Sequence, residues 1–288
     1  MKRVGFNFLL AGLTGFLAIP FGGWAQAEPL PKFDEVYQLL LTNGSGFSEA
    51  ELNRAAVKGL LDELQSRVVL VTKTASTAAS ESNLVSQVSV FDGAFAYLRI
   101  GKIESGLSDA FKSAYQKLAA TNKLKGVVLD LRYASGTDYA AAAQTADLFI
   151  KTEQPLLQWS DTMARSTAKT DAIALPVAVL VNHQTSGAAE ALAAMVREAQ
   201  IGLVLGTNTA GQASVFKEFS LKDGQQLKVA SVPVKLANGK EIPASGVKPD
   251  IEIAVSARAE KAFFQNPYRK PKYLATSTNP NNLNGTAD

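Results

Sequence analysis

Cysteine is absent from all 288 residues, which excludes disulfides, thiolate nucleophiles and sulfur-ligated metal centres. There is one histidine, His183, so a metal site built on several imidazoles is excluded as well. No metal and no cofactor is expected. Charge of one sign is scarce too. The formal excess is +3, and 29 basic residues less Lys2 and Arg3 of the leader leave 27 against 26 acidic ones. A near-neutral chain with no basic stripe is a poor match for nucleic acid. Beyond the first 27 residues no apolar run is long enough to cross a bilayer.

The first residues, MKRVGFNFLLAGLTGFLAIPFGGWAQA, are a targeting segment rather than part of a fold. Lys2 and Arg3 make a charged start, 8–19 an apolar centre, and Ala25-Gln26-Ala27 a small-x-small cleavage site. Cleavage after Ala27 would place the chain in the periplasm or outside the cell. The alternative, a retained membrane anchor, suits the short, Gly- and Pro-broken run less well. Membrane contact is expected only if the segment stays attached.

Two helices are predicted at 33–41 and 49–64, forming a small cap over 33–72, with Ser48 and Glu51 in capping-box spacing. A short strand at 68–72 follows, then a Thr, Ala and Ser-rich loop or edge segment at 73–87. Strands 88–91 and 94–100 flank Asp92-Gly93, a hairpin signal. An amphipathic helix over 105–120, a buried strand at 126–131 and an Ala-rich helix over 139–150 come next. The alternation implies an α/β domain with a largely parallel sheet.

The most informative stretch is PVAVLVNHQTSGAAEALAAMVREAQIGLVLGTNTAGQ, 176–212. A strand at 177–181 enters a polar bend at 182–186, then a helix over 188–199 and a strand at 201–205. Apolar runs of this length suggest strands covered on both faces. The bend lies at a strand's carboxyl end and a helix amino end, where free N–H groups can hold an anion or oxyanion. Hairpin strands at 214–221 and 226–234, a turn at Asn238-Gly239 and a last strand after 245–251 complete the domain. The extension 256–288 is read as a surface tail packing Phe263 and Phe264 on the body, disordered from about 276.

Five segments in order resemble the carboxyl-terminal processing (tail-specific) serine proteases: AYLRIGKIESGLSDAF, KGVVLDLRYASG, LPVAVLVNHQTSGAAEALAAM, GLVLGTNTAGQASV and SGVKPDIEI. The resemblance implies a crotonase/ClpP-like β/α core over 88–255. It implies a Ser–Lys dyad, with the serine opening the long helix and a desolvated lysine on the next strand as base. Here the nucleophile position, three before Glu190, is Gly187, and the base position is Gln212. Neither can do that chemistry. The acid or amide found between them in some members falls at Glu198. Of the backbone oxyanion pocket Gly136 is retained, but Thr137 stands where a second glycine is expected and Ser135 where a proline is. The segment between Val68 and Ala94 is too short for the family's PDZ module.

Neighbouring groups offer substitutes. Ser186 or Thr185 could cap the helix, and Ser186 could act as a displaced nucleophile with His183 or Gln212. Lys217 has the wrong strand parity to reach the site, and Ser214 the right one. Gly136, Thr137, Gly187 and Ala188 are the expected binding residues. The first expectation is a pseudoprotease that binds a peptide, an unfolded protein tail or an active protease relative without cleaving it. The alternative is a serine peptidase with Ser186 as nucleophile. An acyl-CoA enzyme, suggested by the core alone, lacks adenine-binding features and fits export poorly.

Overall fold

The computed structural model describes residues 30–44, 46–71 and 84–266. The leader at 1–27, much of the loop at 73–87 and the tail from 276 lie outside these residues. The chain divides into two compact units between Val57 and Lys58.

The first unit holds α1 (Phe33–Asn43) and the start of α2 (Glu49–Glu63). The Ser48–Glu51 spacing forms its capping box: Ser48 N–H donates to Glu51 Oε2 at 2.9 Å, and Glu51 N–H to Ser48 Oγ at 3.3 Å. Two orphan donors of the helix start are thus satisfied reciprocally.

In the second unit β1 (Val68–Val71) is followed by β2 (Val85–Phe91), β3 (Phe95–Ile100), β4 (Lys102–Ile103), α3 (Leu107–Thr121) and β5 (Gly126–Asp130). Next come β6 (Ser135–Gly136), α4 (Tyr139–Asp147), β7 (Pro155–Trp159), β8 (Thr162–Arg165), β9 (Val177–Val181), α5 (Ala188–Glu198) and β10 (Gly202–Gly206). The unit ends with β11 (Ser214–Ser220), β12 (Gln226–Pro233), β13 (Lys235–Leu236), β14 (Ile251–Glu252) and α6 (Ala257–Gln265).

The central sheet has six strands in the order β14-β10-β9-β5-β3-β2, all parallel except β2. This is the α/β architecture read from the alternation of strands and helices. Its inner rows, such as Leu98, Leu129, Val179 and Val204, are fully buried, and they join α3, α4 and α5 in one apolar core. At the ~25 cal/mol per Å² typical of apolar burial, this layer is the dominant favourable term.

The opposite face corrects the expectation of strands buried on both sides. On β9 only Val177, Val179 and Val181 are buried, while Ala178 and Leu180 are half-buried. Leu203 on β10 is 53% exposed. Among the described residues this face carries α6 at its carboxyl end only. That helix replaces the irregular tail expected there. Phe264 does pack on the body, 3.8 Å from the Arg99 guanidinium and edge-on to Tyr133 at 4.6 Å. The sequence reading also passed over the β7–β8 hairpin, and it began β2 three residues late.

Beneath Phe264 lies a buried charge cluster. Asp130 is fully buried and accepts from the Tyr97 hydroxyl, from Arg99 Nε at 3.3 Å and from both ends of the Arg132 fork at 2.9 and 2.7 Å. Burial, with the Asp130 charge adding to it, pushes the Tyr97 hydroxyl up to about 12. The cluster joins β3, β5 and α6. Asp130→Ala leaves two guanidinium groups with no counter-charge in a dry site. We expect it to cost about 3–5 kcal/mol in urea denaturation, whereas Phe264→Ala, at a half-buried position, costs about 2 kcal/mol.

Candidate functional site

The site forms where the carboxyl ends of the central strands meet a smaller sheet of order β1-β12-β11. Between them is a cleft of about 410 Å³. One wall is the bend before α5, with Ser186 and Gly187, together with β4 and β6. The other is a face of the small sheet, with Val69, Val71, Phe216 and Lys228.

Residue 187 sits at a sharp strand-to-helix turn with φ 62° and ψ −122°. That conformation is strained for any residue with a Cβ. Space is a second constraint. A Cβ at 187 would lie within the 3.0 Å of the Gly136 carbonyl oxygen that real Cβ atoms do not breach. Gly136 is itself pressed on Ile103, where an added Cβ would meet the Ile103 oxygen at 2.5 Å. Three backbones therefore stack directly: β4 pairs with β6 in parallel register (Ile103 with Gly136), and β6 lies against the turn. Ser186 N–H fastens the turn to the same strand by donating to Ala134 O at 3.0 Å.

Glu190 holds the turn in place. Its carboxylate is fully buried and accepts four donors: the Thr209 hydroxyl at 2.5 Å, and the N–H groups of Gly211 at 2.6, Gln212 at 2.7 and Gly187 at 2.9 Å. Burial pushes its pKa up, against the pull of these four donors. The sequence reading used Glu190 only to fix the nucleophile position. Its bond to Gly187 N–H was legible as a capping spacing, but its bonds to 209–212 depend on tertiary approach. Nearby, Tyr139 donates to Ser214 O at 2.9 Å, and burial followed by the Glu190 charge raises its pKa.

The expected site residues separate into two groups. Gly136, Thr137, Ser186, Gly187, Gln212 and Ser214 all line the cleft. Ala188 is fully buried and its side chain faces the core. His183 is exposed outside the cleft lining, and no hydrogen bond joins it to Ser186 among the described residues. The Gln212 amide donates to Gln65 O at 3.3 Å.

Two expectations are corrected. Neither Ser186 nor Thr185 caps α5. The Thr185 hydroxyl donates to Leu131 O at 2.9 Å and accepts from Asn182 N–H at 3.0 Å, tying the bend to β5. Glu198 is exposed at the far end of α5 and accepts from Asn238 Nδ2 at 2.6 Å. Eleven positions of helix, at about 1.5 Å each, carry it away from the turn. Lys217 is exposed and does not line the cleft, as its parity implied, but two other lysines do. Lys102 lies 3.0 Å from Glu104, and Lys228 lies 2.7 Å from Glu218. Lys228 reaches the cleft through the alternation of β12, a pattern present in the sequence.

A family model, Peptidase family S41, matches residues 94–253. Over 161 residues the chain is 27% identical to a chloroplastic C-terminal processing peptidase of Tetradesmus obliquus, covering 54% of this chain and 34% of that one. It is 30% identical over 167 residues to a protein of Staphylococcus aureus named as a probable CtpA-like serine protease, covering 56% and 34%. The match thus spans about a third of the length of these relatives. Among solved structures, a provisionally assigned peptidase from Parabacteroides merdae is similar in fold, with a TM-score of 0.59 and 15% identity over 81% of this chain and 85% of that one.

Glu190→Ala strands four donors at once, three of them backbone N–H groups. At roughly 1–3 kcal/mol for each buried unsatisfied group we expect a loss of at least about 3 kcal/mol. Amide exchange at Gly211 and Gln212 should accelerate more than at β5 positions. Equal acceleration at both would show that Glu190 does not hold the loop.

Proposed function

Because the chain belongs to peptidase family S41, we propose that it is an exported pseudoprotease, binding an extended peptide in the S41 cleft without cleaving it. One observation carries this reading. At the nucleophile position the residue is glycine, and the Gly136 carbonyl stands where a side chain would begin. A carbonyl is an acceptor, so it opposes the negative charge that develops on a substrate oxygen during acyl transfer. The base position supports the same reading, since an amide takes no proton at neutral pH and the Gln212 side chain is engaged with Gln65.

What remains suits binding. The cleft offers apolar surface from Val69, Val71 and Phe216, with Lys102 and Lys228 at its walls. β11 is an edge strand of the smaller sheet, where an extended chain can add by strand pairing. The ligand on this reading is a peptide or an unfolded protein tail, and an active relative presenting such a segment is a second source. Export rests on the leader sequence with its Ala25-Gln26-Ala27 site.

The purified chain, incubated with an unfolded protein and followed by mass spectrometry, is expected to release no fragment. A fluorescent extended peptide should bind, and Phe216→Asp should weaken it at least tenfold, equivalent to about 1.4 kcal/mol. Ser186→Ala should leave affinity within a factor of about two. Cleavage that disappears in Ser186→Ala would instead establish a displaced nucleophile.

A further inference from the structure

The closed turn raises a question the loss of the dyad does not answer: what keeps the Gly136 carbonyl pointed at residue 187? The chain on either side is fixed. Before it, Ser135 and Gly136 pair with Lys102 and Ile103. After it, Asp138 caps α4, with Oδ1 accepting from Ala141 N–H at 2.9 Å. Between two fixed ends the carbonyl cannot be withdrawn by sliding the strand. It can only be turned away by rotating the peptide plane between residues 136 and 137. That rotation changes ψ of Gly136 and φ of Thr137 by roughly half a turn each.

Gly136 accepts any ψ at little cost. Thr137 does not accept the matching φ. It is not among the residues with positive φ here, and rotation would carry it there. For a β-branched side chain a positive φ is a steric outlier. We infer that Thr137 is a positioning residue that locks the Gly136 carbonyl against Gly187 and so holds the oxyanion pocket shut. This rests on the reading of Gly187 as the lost nucleophile position. It adds a third, backbone-level block beside Gly187 and Gln212. Glycine at 187 and threonine at 137 then depend on each other: the first makes room for the carbonyl, and the second keeps it there.

The test is a mutant cycle read by thermal unfolding of the full chain, with no ligand present. Gly187→Ala should lower Tm by roughly 6 °C or more, since the new Cβ meets a carbonyl that cannot turn. In a Thr137→Gly background, where the peptide is free to rotate, the drop should be measurably smaller, what remains being the strain of a Cβ at the positive φ of residue 187. Thr137→Ala should give no such rescue, because alanine also avoids positive φ. If Gly187→Ala alone does not fold, recovery of folded protein with Thr137→Gly added is the same result in stronger form. Equal drops in both backgrounds, no drop at all, rescue by Thr137→Ala, or failure to fold in both backgrounds would each overturn the lock. Because peptide binding is not measured, a failure here leaves the binding reading standing, and a failure to bind peptide leaves the lock standing.

Discussion

The geometry of the cleft depends on a single buried carboxylate. Glu190 has no exposed surface, and each of its oxygens accepts two donors, Thr209 and Gly211 on one and Gly187 and Gln212 on the other. Removing a charge from water costs several kcal/mol unless its hydrogen bonds are satisfied, and here four donors from two distant segments satisfy it. The result is a rigid connection between the turn before α5 and the loop before β11. Both walls of the cleft are therefore set by one side chain. A second buried carboxylate, Asp130, does the equivalent for the opposite side of the sheet's carboxyl end, where Arg99 and Arg132 meet α6.

The polar bend is tied on its other side by Asn182. Asn182 Oδ1 accepts from the N–H groups of Tyr133, Gln184 and Thr185, each at 3.1 Å. Its amide donates to Glu260 of α6 at 2.8 Å. The bend is thus held from both sides, while residue 187 carries no side chain. A turn with φ 62° and ψ −122° is strained for an ordinary residue, and glycine relieves that strain. With no Cβ at 187, the Gly136 carbonyl of the nearest strand lies directly against the turn.

Much of this was legible before any coordinates. Alternating apolar runs located β3, β5, β9 and β10, and Asp92-Gly93 located the β2–β3 turn. The residues at 187 and 212 were placed by the resemblance to the tail-specific proteases, position by position. What escaped depended on approach between distant segments. Nothing in the sequence near 136 announces that its carbonyl meets residue 187, because that contact depends on the register of β6 on β4. The role of Glu190 beyond its own helix was hidden for the same reason. The helix α6 was missed because only part of one side meets the body, and the β7–β8 hairpin because its turn, with Ser160 at φ 47°, lacks an Asn-Gly or Asp-Gly signature. Lys228 reaches the cleft only because β12 pairs beside β11, a neighbourhood that residue spacing after Gln212 does not reveal.

The central claim is that the cleft receives an extended chain at a turn closed by a carbonyl. The most direct measurement is a crystal structure of the full chain grown with an extended peptide at saturating concentration. The account predicts an intact peptide running between the turn and the β1-β12-β11 face, with the Gly136 oxygen still directed at Gly187. Density for an acyl group on Ser186, or a peptide cut at the turn, would contradict it.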